Sequence, residues 1–265
     1  IIPTMPATET KAAEAGFDIG VVNFDATLTG ANQEKENLVK MKKYIKDAKN
    51  DGDEILIPAP DYPLWTAAAK LAGGTPVHYI CDEKSNWYPD IADMEKKIQE
   101  KGIRVAIFCN PHNPTGRVWT KEEISDYIDL MAKYGITVIS DEIWADFMIG
   151  EGKKHIPTQS VSEDAKQRTV ALYAPSKTFN LAGLIGSYHI IYNDWLRERI
   201  LKESSLSHYN SMNLLSMYAL IGAYKPEGYE WVDELKEVLS GNVNYACDYI
   251  EKHFEGVNVS RPEGT

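Results

Sequence analysis

"EILIPAPDYPLWTAAAKLAGGTPVHYIC", residues 54–81, sets two apolar runs on either side of a segment with helical spacing. "EILIPAP" reads as a short strand, "PLWTAAAKLAGG" as a helix with a glycine terminus, and "PVHYIC" as a second strand. Strands alternating with helices build a layered α/β structure around a mainly parallel sheet. The alternation continues downstream. "DIADMEKKIQEKG" (90–102) and "KEEISDYIDLMAKYG" (121–135) are helical, while "RVAIFCN" (104–110), "TVISDEI" (137–143), "TVALYAPS" (169–176) and "LIGSYHIIY" (184–192) are strands. Upstream, "DIGVVNF" (18–24) reads as a buried strand and 31–52 as a helix with a glycine stop. After about residue 192 the chain turns mostly helical, ending in a long amphipathic stretch over 228–254. No internal repeat or low-complexity segment is visible.

The totals bound the function. A chain of 265 residues can bury one large core, or a main domain with a satellite. Its 28 basic and 39 acidic side chains give a net charge of −11, with no cationic cluster to offset it. That argues against nucleic acid or an anionic membrane as a partner. The longest apolar runs are far too short to span a bilayer, and no leader with a small-residue cleavage site opens the chain. Cys81, Cys109 and Cys247 are odd in number, widely spaced and set in apolar sequence, so buried free thiols in a reducing, cytoplasmic compartment are expected. The chain starts at Ile1 and stops at "RPEGT" as a strand begins, which reads as incomplete.

In open α/β sheets the ligand lies beyond the carboxyl ends of the strands. Four sets of polar residues fall there: Asp61 with Tyr62, Asn110 to Gly116, Asp141 with Glu142 and Trp144, and Ser176 with Lys177. Each has a plain explanation when taken alone. "NPHNPTG" (110–116) is a rigid turn, Asp141 a metal ligand, helix cap or solvated acid, and Lys177 a surface charge. The six histidines show no metal-ligand spacing, and no Cys/His cluster suggests zinc.

Taken together, the asparagine turn, an Asp some thirty residues on and a Ser-Lys some thirty-five beyond it resemble the pyridoxal-phosphate enzymes of the aspartate aminotransferase fold. "PSKTFNLAGL" and "NPHNPTGRVW" are similar to the cystathionine β-lyase-like branch, the C–S lyases. "GDEILIPAPDYPLWTAA" is closer to the alanine-aminotransferase branch. The resemblance runs from about Gly52 to the C-terminus, some four fifths of the chain. It implies pyridoxal 5′-phosphate as cofactor, with Lys177 forming a Schiff base and then moving the substrate Cα proton. That task needs a lowered lysine pKa, which desolvation and a neighbouring cationic ring would supply. It also implies Asp141 paired with the pyridine nitrogen, Asn113 donating to the phenolate oxygen and helping to hold the substrate carboxylate, and Tyr62 stacked on the ring with Trp65 as a substitute. Ser176 becomes a possible phosphate donor. The implied partners are a small amino-acid substrate and a second copy of the chain in a homodimer.

The sequence also departs from that pattern. Trp144 stands where the family has Tyr or His; an indole N–H donates to an oxygen but cannot act as acid or base. Ile185 replaces an arginine that clamps the cofactor phosphate in aminotransferases, which leans towards the lyase branch. The glycine/serine loop that precedes "GDEILIP" in the family is missing, and the carboxylate-binding arginine lies beyond "RPEGT". Residues 16–50 instead resemble the opening strand and helix of carbon–nitrogen hydrolases, without their Glu-Lys-Cys set, and "TLTGAN" (27–32) offers a substitute phosphate site at a helix start. "NFDATLTG" (23–30) resembles a haloacid-dehalogenase nucleophile loop but has Asn23 in place of the nucleophile. The expected organisation is an atypical segment over 1–50 packed on the main domain, a cofactor-binding large domain over 51–205, and interdomain helices with the start of a truncated small domain over 206–265. Three functions remain open: a C–S β-lyase of the cystathionine β-lyase or cysteine desulfhydrase type, an alanine-type aminotransferase, or an inactive fragment or recombined scaffold.

Overall fold

A computed structural model of the chain describes residues 20–22, 53–206 and 212–265. The helix expected over 31–52 and the "TLTGAN" loop lie outside the described residues. Seven strands form one sheet: β1 (Gly20–Val22), β2 (Glu54–Ala59), β3 (Thr75–Ile80), β4 (Val105–Cys109), β5 (Thr137–Asp141), β6 (Thr169–Tyr173) and β7 (Ser187–Ile190). They lie side by side as β1-β7-β6-β5-β4-β2-β3. The pairs β2–β3, β2–β4, β4–β5 and β5–β6 are parallel. β7 runs against both β6 and β1. The mainly parallel sheet is therefore observed, and the segment before residue 50 contributes β1 to its edge.

The five residues of β4, "VAIFC", are all buried, as expected of a strand covered on both faces. Alternate side chains serve opposite layers. Leu56, Ala106 and Phe108 join one core cluster with Met94 and Ile98 of α2 (Ile91–Lys101) and Ile124, Tyr127, Ile128 and Met131 of α3 (Lys121–Lys133). Ile55, Ile57, Val105 and Ile107 join the other cluster. There they meet Trp65, Ala68 and Ala69 of α1 (Pro63–Leu71) and Leu196 and Ile200 of α6 (Asp194–Leu206).

Local chemistry ends these helices where the side chains demand. Asp90 accepts from the backbone N–H groups of Ala92 and Asp93, and Gly102 closes α2 at φ +63°. Thr120 and Glu123 form a reciprocal capping box on α3. α1 stops before its glycines, on Ala72. Two short helices escape the periodicity argument: α4 (Glu163–Arg168) and α5 (Pro175–Thr178). Helices of six and four residues are too short to show a period. The C-terminal region folds as α7 (Leu214–Ala223) and the 28-residue α8 (Pro226–His253). Cys81, Cys109 and Cys247 are free and buried, as expected. Among the described residues no helix is long and apolar enough to cross a membrane, and no cluster of His, Cys, Asp and Glu is arranged to hold a metal ion.

Candidate active site

Strand register brings the site together. Cys109 pairs with Asp141 across β4 and β5, and Asp141 with Leu172 across β5 and β6. The residues after these three strands therefore emerge at one level. The chain leaves β2 for β3 on one side and β4 for β5 on the other, so β2 and β4 flank a topological switch point, the place where open α/β sheets bind ligands. Asp61 and Tyr62 border it from β2, and Asn110 to Gly116 from β4.

Asp141 is buried at the end of β5. Its Oδ2 accepts from Trp65 Nε1 at 3.1 Å and its Oδ1 from the backbone N–H of Ile143 at 3.2 Å. Burial pushes its pKa up to about 6, reinforced by Glu142; the two donors and the Lys177 charge act in the opposite sense. Lys177 lies on α5 with its Nζ 5.3 Å from the centroid of the Trp144 ring. Trp144 is half-buried and packs on Phe147, 5.5 Å between ring centroids. α5 is tied to the loop after β5 by the hydroxyl of Thr178, which donates to Asp146 at 2.8 Å. Ser176 is half-buried beside Lys177.

Asn113 is half-buried in the turn after β4, its backbone N–H directed at Cys109 Sγ at 3.5 Å. Tyr62 stands at the rim, 38% exposed, immediately before α1. Trp65 is 1% exposed and bonded to Asp141, so it is not available to stack on a ligand in place of Tyr62. That expectation is corrected. Trp65 lies on the face of α1 that packs into the core with Ala68 and Ala69, whereas Tyr62 is the non-helical residue that precedes the helix. Lys177 is exposed.

Two features were missed. Glu142 is 0% exposed and accepts at Oε1 from Ser140 Oγ (2.9 Å) and Thr158 N–H (3.1 Å). At Oε2 it meets His155 Nε2 (2.7 Å) and the hydroxyl of Tyr173 (2.6 Å). The second is the strap formed by residues 262–264. Glu263 and Gly264 both donate backbone N–H groups to Gly116 O, and Glu263 O accepts from Ile149 and Gly150. The Glu263 carboxylate meets Arg117 (3.0 Å), itself 6% exposed, and Lys153 (2.6 Å). The strap thus joins the asparagine turn to the loop that follows Trp144. Only the acidic Asp141–Glu142 pair was visible as a signal for the first; none pointed to the second.

A buried carboxylate whose proton affinity is raised can hold a cationic nitrogen heterocycle, and an exposed primary amine beside an indole can attack or deprotonate a ligand. The family model for aminotransferase class I and II matches residues 27–265, reaching into the segment that resembles carbon–nitrogen hydrolases. The chain is 44% identical over 134 residues to the alanine aminotransferase of Mycobacterium tuberculosis, covering 51% of this chain and 30% of that protein. It is 33% identical over 215 residues to the cystathionine beta-lyase PatB of Bacillus subtilis, covering 81% of this chain and 55% of PatB. In structure it superposes on cystalysin from Treponema denticola, which contains a pyridoxal 5′-phosphate cofactor, with a TM-score of 0.85 at 28% identity, over 99% of this chain and 66% of cystalysin. The matched regions thus span about a third to a little over half of the two curated relatives.

Proposed function

The chain belongs to the aminotransferase class I and II family, and from that premise we propose that it is a pyridoxal-phosphate-dependent C–S β-lyase acting on cystathionine or cysteine-like amino acids. The cofactor is pyridoxal 5′-phosphate. The residues present fit it. Asp141 is a buried carboxylate with pKa about 6, held by two donors at the end of β5, a partner suited to a protonated ring nitrogen. In this reading Lys177 would supply the amine, Tyr62 a ring face, and Trp144 and Asn113 hydrogen-bond donors, with Ser176 as the phosphate donor. When bound, the cofactor supplies an electron sink for negative charge at the substrate Cα.

The protein's share of the work follows from these side chains. The Lys177 amine takes the proton from the substrate Cα. The Asp141 carboxylate holds the proton on the ring nitrogen, so charge that develops is neutralised locally. The Cβ–S bond then breaks, the thiolate leaves, and hydrolysis of the remainder gives pyruvate and ammonia. Trp144, which has no titratable group, orients and covers without exchanging protons.

The observation that carries the cofactor reading is the buried carboxylate of Asp141 at the end of β5, whose proton affinity burial raises against the opposing charge of Lys177. The lyase outcome is supported by the match to PatB, which extends over more of this chain than the match to alanine aminotransferase. Alanine-type transamination is the second reading, favoured by the higher identity of the shorter match. The test is incubation with cystathionine, and separately with alanine plus 2-oxoglutarate. Thiol and pyruvate formed without an acceptor support the lyase; turnover that requires the acceptor supports the aminotransferase. Absence of any yellow, borohydride-reducible adduct retires both and leaves an inactive scaffold. A homodimer is proposed for the assembled protein, to be tested by sedimentation.

A further inference from the structure

Thr178 is 1% exposed beside the exposed Lys177, and no step of the reaction above uses it. Its hydroxyl donates to Asp146 Oδ2 at 2.8 Å. Asp146 stands two residues after Trp144, whose ring centroid lies 5.3 Å from the Lys177 Nζ. Two contacts therefore join the same pair of segments, Thr178 to Asp146 and Lys177 to Trp144. Each segment is braced on its far side as well. The loop after β5 is held in tight turns, Ala145 N–H donating to Glu142 O and Phe147 N–H to Trp144 O, both at 3.0 Å. The chain leaving α5 is held by Phe179, whose ring meets those of Tyr224, beside α7, and Tyr229, on α8, edge-on at 5.0 and 5.7 Å between centroids.

We propose that Thr178 and Asp146 are positioning residues for Lys177, and that their hydrogen bond holds its amine over the Trp144 indole. An exposed lysine has a flexible stem and many rotamers, so its amine is localised only as well as the backbone beneath it. α5 is four residues long and makes too few bonds of its own to fix that backbone. The contact between amine and indole is weak where water reaches it, and forms only once the two segments are in place. A buried hydroxyl donating to a carboxylate is the stronger tie. It joins the segment that carries the amine to the one that carries the ring. The catalytic consequence rests on the proposed function, since it requires Lys177 to be the reacting amine; the placement itself does not.

The test reads the position of the amine by NMR of the cofactor-free chain. Protons over the face of an indole resonate upfield, so the ε-methylene protons of Lys177, identified by their loss in Lys177→Ala, report its placement. Thr178→Val removes the hydroxyl and keeps the shape, and Asp146→Ala removes the acceptor. Both are expected to abolish the upfield shift, and to slow formation of the borohydride-reducible pyridoxal 5′-phosphate adduct about ten- to a hundredfold. Thr178→Ser and Asp146→Asn keep a donor and an acceptor, and are expected to preserve both readouts. Absence of the shift from the native chain, its persistence in Thr178→Val or Asp146→Ala, or its loss in Thr178→Ser overturns the proposal. If Thr178→Val does not fold, the two variants of the half-buried Asp146 decide the matter. A chain whose Lys177 shift responds to these substitutions but which captures no cofactor retires the proposed function and leaves the placement standing. Capture at the native rate in every variant, with the shift unchanged, does the reverse.

Discussion

The indole Nε1 of Trp65 and the Oδ2 of Asp141 lie 3.1 Å apart, joining the first turn of α1 to the end of β5 across 76 residues of sequence. The bond stabilises the ionised carboxylate, because an indole can only donate. Through it the helix after β2 and the acid at the centre of the site are held in one geometry.

Trp65→Phe removes the donor and keeps most of the buried ring. With one favourable partner lost, the Asp141 pKa is expected to rise further above its present value of about 6. Stability should fall by about 1–3 kcal/mol, the range for an acceptor left unpaired in a core. Urea denaturation and carboxyl titration check the two effects. A lower Asp141 midpoint would contradict this account of the bond.

Two buried groups set opposing pH slopes. Burial pushes His112 from its ordinary 6.5 down to about 4, so between those values the unfolded chain binds more protons and stability rises with pH. Burial raises Asp141 from 3.8 to about 6, so in that window the folded chain binds more protons and stability falls as pH rises. The contributions largely cancel between about pH 4 and 6. Asp141→Asn removes the second alone. Relative to the native chain, the variant is expected to gain stability as pH rises from 4 to 6, with the gain from His112 complete near 6.5. Denaturation at pH 4.5, 5.5 and 6.5 would show it; parallel curves for the two proteins would count against the assignment.

Lys177 is exposed, and its truncation should leave the fold intact, with stability within about 0.5 kcal/mol of the native chain. Lys177→Ala is nevertheless expected to abolish the borohydride-reducible cofactor adduct completely. Mass spectrometry of the reduced protein reads the result. A yellow, reducible adduct on the variant would remove Lys177 from the proposed mechanism.

Gly116 has φ +70°, and a Cβ there would lie 2.4 Å from Pro262 Cβ. Gly102 has φ +63° with open space around the same position. Gly102→Ala should cost about 1 kcal/mol from backbone strain alone. Gly116→Ala should cost at least about 1 kcal/mol more, because the strap must also move. Equal losses in urea denaturation would mean that residues 262–264 do not press on the asparagine turn.

The alternation of strand and helix was legible because each element carries its own period and its own ends. "VAIFC" is apolar throughout since β4 is covered on both faces, and Thr120 with Glu123 marks a helix start in four residues. Asp141, Asn113, Trp144, Ser176 and Lys177 stood out because parallel strands deliver their carboxyl ends to one edge, whatever lies between them. Which partner each side chain meets was settled by strand register and helix docking. Trp65 turns inward to Asp141 because α1 packs its apolar face on the sheet, and Glu142 finds donors numbered 140, 155, 158 and 173 because β5 and β6 lie in step with the segment before α4. Glu263 reaches the asparagine turn from 147 residues away. Periodicity and turn chemistry act over a few residues, so the sequence alone determined the longer elements and the sheet edge on which the candidate residues lie. Contacts between distant segments depend on how completed elements pack, and only the tertiary structure decided those.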